Sequence, residues 1–282
     1  VFAWWLRHPI QTTKCMSTGD LKGRAVISLS GGMDSTGLLM HLLANGSKVY
    51  GISFDYGQKH KLELSRLKAN LDYLAAHDYE VTHRTVDISV LGSLYKSALT
   101  TDGWVVPQGH YEQDNMKETV VPNRNAIFSS IAYGYALSIA NEVEEEVSLC
   151  LGVHSGDHAI YPDCRPEFYE AIHNAFALGN WDSERVSMYL PYLDGDKHTI
   201  LKDAQKAINQ LGLDFNEIFG NTNTSYDPDP QGRASGKTGA DIERILAFHR
   251  LGVPDPVLYT DSWEVVLQNA LKEQEEFGTK NH

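Results

Sequence analysis

The sequence predicts a doubly wound α/β protein, a parallel sheet with helices on both faces, and three observations carry that expectation. Apolar, β-branched runs alternate with segments of helical period. The first such run breaks into a glycine-rich turn, SLSGGMDS (28–35), before a helical pattern begins. The length, 282 residues, suffices for one large α/β core with an appendage. Ligands of such sheets gather where the turns lie, at the carboxyl ends of the strands.

Taken in order, residues 25–30 (AVISLS) read as a buried strand and 35–44 as its helix, ended by Asn45-Gly46. Residues 48–54 (KVYGISF) form a second strand, and 59–77 carry apolar residues at helical spacing. Alternation and β-branched content make 80–88 (EVTHRTVDI) the third strand. The stretch 92–120, rich in Gly, Thr and Asp with scattered aromatics, reads as a long functional loop or lid. A helix over 124–143 and a buried strand over 147–153 (VSLCLGV) follow. Helices are predicted over 166–178, with Pro in the first turn, and over 198–211. From about 220 the composition turns to NTNTSYDPDPQGRASGKTG, then a helix over 239–251 and a polar tail. The expected organisation is an N-terminal extension (1–22), a main domain (23–219) and a C-terminal appendage (220–282).

Acidic residues outnumber basic ones 37 to 24, a net charge of -13. A duplex-binding protein needs a basic face, so direct nucleic-acid contact is not expected, and small-molecule substrates suit the balance better. Three cysteines, Cys15, Cys150 and Cys164, show no paired spacing, which suits a reducing cytoplasm. The apolar start VFAWWL is interrupted by Arg7, His8 and Pro9, too early for a secretory core or a membrane span. Met16 is a candidate start with residues 1–15 as a leader; equally, Trp4 and Trp5 pack on the body.

The turn carries the chemistry. Backbone N–H groups at a glycine-rich turn and a helix start form an anion site, reinforced by the helix dipole. Gly31 and Gly32 let phosphate oxygens approach, and Ser28, Ser30 and Ser35 add hydroxyls. The string lacks the lysine and spacing of a Walker A loop. An ordinary capped turn would explain two glycines, but not the whole string S-G-G-x-D-S. That string resembles the pyrophosphate loop of the PP-loop ATP pyrophosphatase superfamily, whose members split ATP between its α and β phosphates. The resemblance implies a fold of adenine nucleotide alpha-hydrolase type, ATP as substrate and Mg2+ as helper ion. Asp34 is the candidate to hold the magnesium, with helix capping as its plainer role, and Lys197 is the candidate phosphate-binding lysine or else a solvated one.

Three further strings, FDYGQKH (54–60), VPNRNAIF (121–128) and GDHAIYPDCRPEF (156–168), narrow the choice. With SGGMDS they resemble the 7-cyano-7-deazaguanine synthases of the queuosine pathway, over about residues 25–259. The resemblance implies adenylation of 7-carboxy-7-deazaguanine, displacement of AMP by ammonia to give the amide, and a second activation leading to the nitrile. It implies ATP and pyrophosphate contacts from Ser28, Ser30, Gly31, Gly32, Asp34, Ser35 and Ser53. Substrate contacts fall to Asp55, Tyr56, Gln58, His60, Arg124, Asn125, Asp157, Tyr161, Asp163 and Arg165, and catalysis to Asp34, Lys197 and Arg165. Within that set Asp157 or Asp163 would read the guanine-like edge, Arg124 and Arg165 would meet carboxylate or phosphate, and Tyr161 or Phe128 would stack. His60, His154 and His158 are candidate proton carriers, and Cys164 reads as a buried thiol rather than a nucleophile.

The chain departs from the family in two places. Asn123 stands where VP-G-RN is usual, a conservative change for a turn. The four zinc-binding cysteines of the family read Ser225, Ser235, Thr238 and Asp241, so no zinc is expected. An amide-only or deazaguanine-conjugating relative in phage DNA modification or antiphage defence, and an inactive nucleotide-binding module, are the alternatives. A homodimer acting on small molecules, with no membrane partner, is the expected form.

Overall fold

The computed structural model describes residues 21–58, 62–101, 104–110, 114–154, 156 and 161–280. Its centre is a five-stranded sheet ordered β3-β2-β1-β4-β5, every neighbouring pair parallel. The strands are β1 (Arg24–Ser28), β2 (Lys48–Asp55), β3 (Val81–Asp87), β4 (Val147–Cys150) and β5 (Val186–Tyr189). The helices are α1 (Met33–Ala44), α2 (Leu62–Ala76), α3 (Arg124–Val143), α4 (Pro166–Gly179), α5 (Lys197–Leu211), α6 (Phe215–Gly220), α7 (Gly239–Leu251) and α8 (Trp263–Lys280).

The central strands are apolar throughout because both faces are covered. On β1, Ala25 and Ile27 join a core with Leu38 and Leu42 of α1, Ile200 and Leu201 of α5 and Phe248 of α7. Val26, pointing the other way, joins a second core with Ala132, Ala136 and Ile139 of α3 and Tyr169 of α4. The chain builds β1, β2 and β3 outward on one side, then crosses back to place β4 beside β1. That reversal opens a crevice between the carboxyl ends of β1 and β4.

Several boundaries differ from expectation. The strand read over 147–153 ends at Cys150, which frees Leu151, Gly152 and Val153 to line the crevice. β5 was not foreseen, since four residues, VSMY, carry too little pattern to separate from a loop. The polar tail is α8, whose Val266 and Ala270 are buried against Ile242 and Ile245 of α7. Its other faces are charged, so the mean composition hides a helix with one apolar stripe. The long loop after β3 is held by two 3-10 turns, Ser89–Ser93 and Asp114–Thr119. It is tied to the C-terminal segment where Gly109 N–H donates to Lys237 O at 3.0 Å.

Arg244 of α7 anchors that segment. Its side chain is 2% exposed, and it meets Asp255 through two bonds, Nε to Oδ2 at 2.6 Å and Nη2 to Oδ1 at 2.9 Å. The remaining donors reach Thr222, Thr224 and the carbonyl of Phe219, and Tyr259 donates to Asp255 at 2.7 Å. A buried pair with every proton placed is stable as a unit, but removing one member strands the other in a dry interior. Arg244→Ala or Asp255→Ala is therefore expected to cost about 3–5 kcal/mol in urea unfolding. A loss below about 1 kcal/mol, the value of an exposed pair, would contradict this.

Candidate functional site

The turn after β1 is built by its neighbours. Ser53 is fully buried and donates to the Leu29 carbonyl at 2.6 Å, so it braces the turn from below and does not line the crevice as expected. His83 Nε2 lies 2.8 Å from the same hydroxyl, and burial holds the imidazole pKa below its usual value. Gly31 sits at φ +84°, and a Cβ there would meet the Glu63 carbonyl oxygen at 2.1 Å. Only glycine satisfies both conditions. Gly32 caps α1 without a side chain, and its N–H donates to Ser30 Oγ at 3.1 Å. Ser30 and Ser35 hydroxyls lie 3.1 Å apart at the mouth of the helix.

Asp34 follows in the first turn of α1. Its Oδ2 accepts from Lys197 Nζ at 2.8 Å, with His154 Nε2 at 3.8 Å. Lys197, 5% exposed at the start of α5, also contacts His154 Nε2 at 2.9 Å and Glu243 Oε2 at 3.3 Å. The solvated reading of Lys197 is thus set aside. Burial raises the Asp34 pKa, but the Lys197 ammonium and His154 lower it more, holding the carboxyl well below the usual range. Asp34 Oδ1 is buried with no hydrogen-bond partner among the described residues. An ionised oxygen left in that state fits a hard cation, and magnesium needs few carboxylates when substrate phosphates complete its shell.

The opposite wall is aromatic and cationic. Asn123, at φ 61°, takes the left-handed turn that glycine would take, and so delivers Arg124 to the start of α3. The Arg124 guanidinium lies 5.8 Å over the Tyr56 ring, which tilts against Phe128 at 5.4 Å. Phe128 is stacked on Phe54 at 4.2 Å. Burial lowers the Arg124 pKa, but Tyr56, Tyr226 and Tyr161 raise it more, so the charge is fixed. Gln58 holds the Tyr56 N–H at 2.9 Å.

Together these walls enclose a cavity of about 280 Å³ that brings Ser28, Ser30, Asp34, Ser35, Tyr56, Gln58, Arg124 and Asn125 together. Phe128 lines it, whereas Tyr161 does not; the Tyr161 hydroxyl lies 2.6 Å from Thr119 Oγ1, inside a small cluster with Met116 and Cys164. Asp163 meets the site through its carbonyl, which accepts from Asn125 at 3.4 Å. Arg165 is exposed at the cap of α4, and Asp55 Oδ1 accepts the Gly57 N–H at 3.3 Å, so neither lines the cavity. His60, Asp157 and His158 lie outside the described residues. Sequence reasoning missed Glu63, Asn223, Ser225 and Tyr226, all of which line the same cavity.

The family described as Queuosine biosynthesis protein QueC matches residues 24–252. The chain belongs to the QueC family. A 7-cyano-7-deazaguanine synthase of Caldicellulosiruptor saccharolyticus is 44% identical over 236 residues, 84% of this chain and 95% of that protein. The protein of the same description from Marinomonas sp. is 42% identical over 239 residues, 84% of this chain and 98% of that one.

Within this QueC-family chain, the four positions at which the resemblance implies zinc ligands gather on one carboxylate. Ser225 Oγ and Ser235 Oγ donate to Asp241 Oδ2 at 3.2 and 2.9 Å, as does the Thr238 N–H at 3.3 Å. Thr238 Oγ1 accepts the Asp241 N–H in return, capping α7. Zinc does not fit this set. It offers no thiolate or imidazole, and its hydroxyls are committed to Asp241. Burial raises the Asp241 pKa more than those donors lower it. Chelator treatment is expected to leave the thermal midpoint unchanged, and metal analysis to return no stoichiometric zinc. Asp241→Ala is expected to cost about 1–3 kcal/mol, since buried donors lose their acceptor. Zinc recovered at one ion per chain would refute the reading.

Proposed function

We propose that the protein is an ATP-dependent ligase that converts 7-carboxy-7-deazaguanine to 7-cyano-7-deazaguanine with ammonia as the nitrogen source. The supporting observation is the cavity at the β1–β4 crevice. An anion-binding turn forms one wall and an Arg124–Tyr56–Phe128 face the other, in a chain of the QueC family. The relatives' printed names supply the product.

A carboxylate is a poor electrophile until one oxygen becomes a leaving group. In the first half, a carboxylate oxygen bonds to the α-phosphorus of ATP, pyrophosphate leaves, and ammonia displaces AMP to give the amide. In the second half, the amide oxygen attacks a second ATP, and loss of AMP with two N–H protons leaves the nitrile. The turn around Ser30, Gly31, Gly32 and Ser35 receives the departing pyrophosphate. Lys197 holds Asp34 in place and adds positive charge at that wall, while Arg124 orients the carboxylate and Phe128 and Tyr56 contact the deazapurine. Asp34 would hold magnesium, which would neutralise phosphate charge there. A second reading, in which the reaction stops at the amide, is favoured by one observation: Ser225, from the segment that departs from the family, lines the cavity.

Incubation with ATP, magnesium, ammonium and 7-carboxy-7-deazaguanine is expected to yield AMP, pyrophosphate and a product one water lighter than the amide. Release of ADP and phosphate would remove the assignment. Asp34→Asn is expected to lower AMP release about 10²- to 10³-fold with an unchanged circular dichroism spectrum.

Two glycines at positive φ give a sharper contrast. Gly46, at φ +76°, has open space where its Cβ would be, unlike Gly31. Gly46→Ala is expected to cost about 1–2 kcal/mol of stability and leave turnover intact. Gly31→Ala is expected to abolish turnover. Equal activity of the two variants would show that the turn tolerates displacement.

A further inference from the structure

Glu63 stands in the first turn of α2, beside the motif strings rather than within the pyrophosphate turn. Its carbonyl is pressed against Gly31, and it lines the reaction cavity between the two walls. Four groups face it across that space. Arg124 comes from α3, Tyr56 from the end of β2, Asp34 from α1 and Tyr226 from the C-terminal segment. Among these, Asp34 is locked as an anion by Lys197, Arg124 is locked as a cation, and burial pushes Tyr56 upward. None of those three can accept and release a proton near neutral pH.

The chemistry nonetheless requires a proton acceptor. Ammonium, the dominant form in neutral solution, has no lone pair and must lose a proton before its nitrogen can bond to the acyl carbon. In the second half the amide nitrogen must shed two protons as C–O cleavage creates the triple bond. We propose that the Glu63 carboxylate is the base that takes these protons in turn, one when ammonium becomes ammonia, one from the attached nitrogen as AMP leaves the tetrahedral adduct, and two from the amide nitrogen as the nitrile forms, passing each to solvent between steps. This rests on the ligase reading above. Burial pushes the Glu63 carboxyl up to about 7 despite the nearby Arg124, which places its titration where a general base works best. No electron carrier is needed, since AMP leaves with the C–O bonding pair.

The test separates activation from proton removal. Adenylation of a carboxylate transfers no proton, so Glu63→Gln is expected to keep substrate-dependent exchange of labelled pyrophosphate into ATP. Amide formation from ammonium is expected to fall about 10²-fold or more. Hydroxylamine, already unprotonated at neutral pH, is expected to restore trapping of the acyl group as the hydroxamate. Glu63→Asp should recover part of the ammonium-dependent rate. The wild-type pH profile should bend near 7, and the Glu63→Gln profile should follow free ammonia without that bend. Loss of exchange in step with amide formation would overturn the proposal and make Glu63 a brace for Gly31. Undiminished amide formation would overturn it too. If the wild-type enzyme shows no exchange dependent on 7-carboxy-7-deazaguanine, the ligase reading fails first and the proposal falls with it.

Discussion

The approach of the Glu63 carbonyl to Gly31 is the constraint on which the site depends. No side chain fits between them, and Gly31 holds a backbone conformation that other residues resist. The Gly31 carbonyl in turn accepts the Asn223 N–H at 2.9 Å. One residue without a side chain thus joins the turn after β1, the first turn of α2 and the segment leading to α7. The two walls of the cavity are thereby fixed in one frame. A displacement of α2 would move the carboxyl of Glu63 and the pyrophosphate turn together.

Electrostatics then divides the work. The chain carries a net charge of -13, yet its cavity region holds two cations, a buried Lys197 and a half-buried Arg124. The same crevice sets two carboxyls apart. Asp34 and Glu63 both suffer desolvation, but Asp34 has an ammonium at 2.8 Å and remains ionised, while Glu63 is balanced less closely and rises to about 7. Different partners give carboxyls in one cavity different tasks.

The sheet and the glycine-rich turn after β1 were legible because each rests on a strong local pattern. A buried parallel strand reads as an unbroken apolar run, and SGGMDS combines rare backbone freedom with hydroxyls and a carboxylate. Lys197 was named from the superfamily resemblance, and only the fold shows that it is buried against Asp34. Glu63 was not. A lone Glu in a first helical turn looks like ordinary dipole compensation, and its cavity position depends on the Gly31 contact, which no spacing encodes. Ser53, assigned from the resemblance, is instead buried beneath Leu29, a depth that no motif spacing encodes. Arg165 lay in a specific string, yet it stands at the cap of α4 outside the cavity lining.

The C-terminal segment joins through hydrogen bonds the positions at which the resemblance implies a zinc ion. A zinc ion ties four chain positions through short bonds and couples folding to metal supply. Here Asp241 and Arg244, three residues apart on α7 and so neighbours on one face, act as two buried polar hubs. Asp241 gathers Ser225, Ser235 and Thr238, while Arg244 gathers Phe219, Thr222, Thr224 and Asp255. Each hub grips the stretch between α6 and α7 from a different side. That stretch supplies Asn223, Ser225 and Tyr226 to the cavity, so its rigidity passes directly to the reaction space. Hydrogen bonds are individually weaker than metal ligation, but a fully satisfied buried network holds its members cooperatively. The geometry of this wall therefore rests on proton donors and acceptors carried by the chain itself.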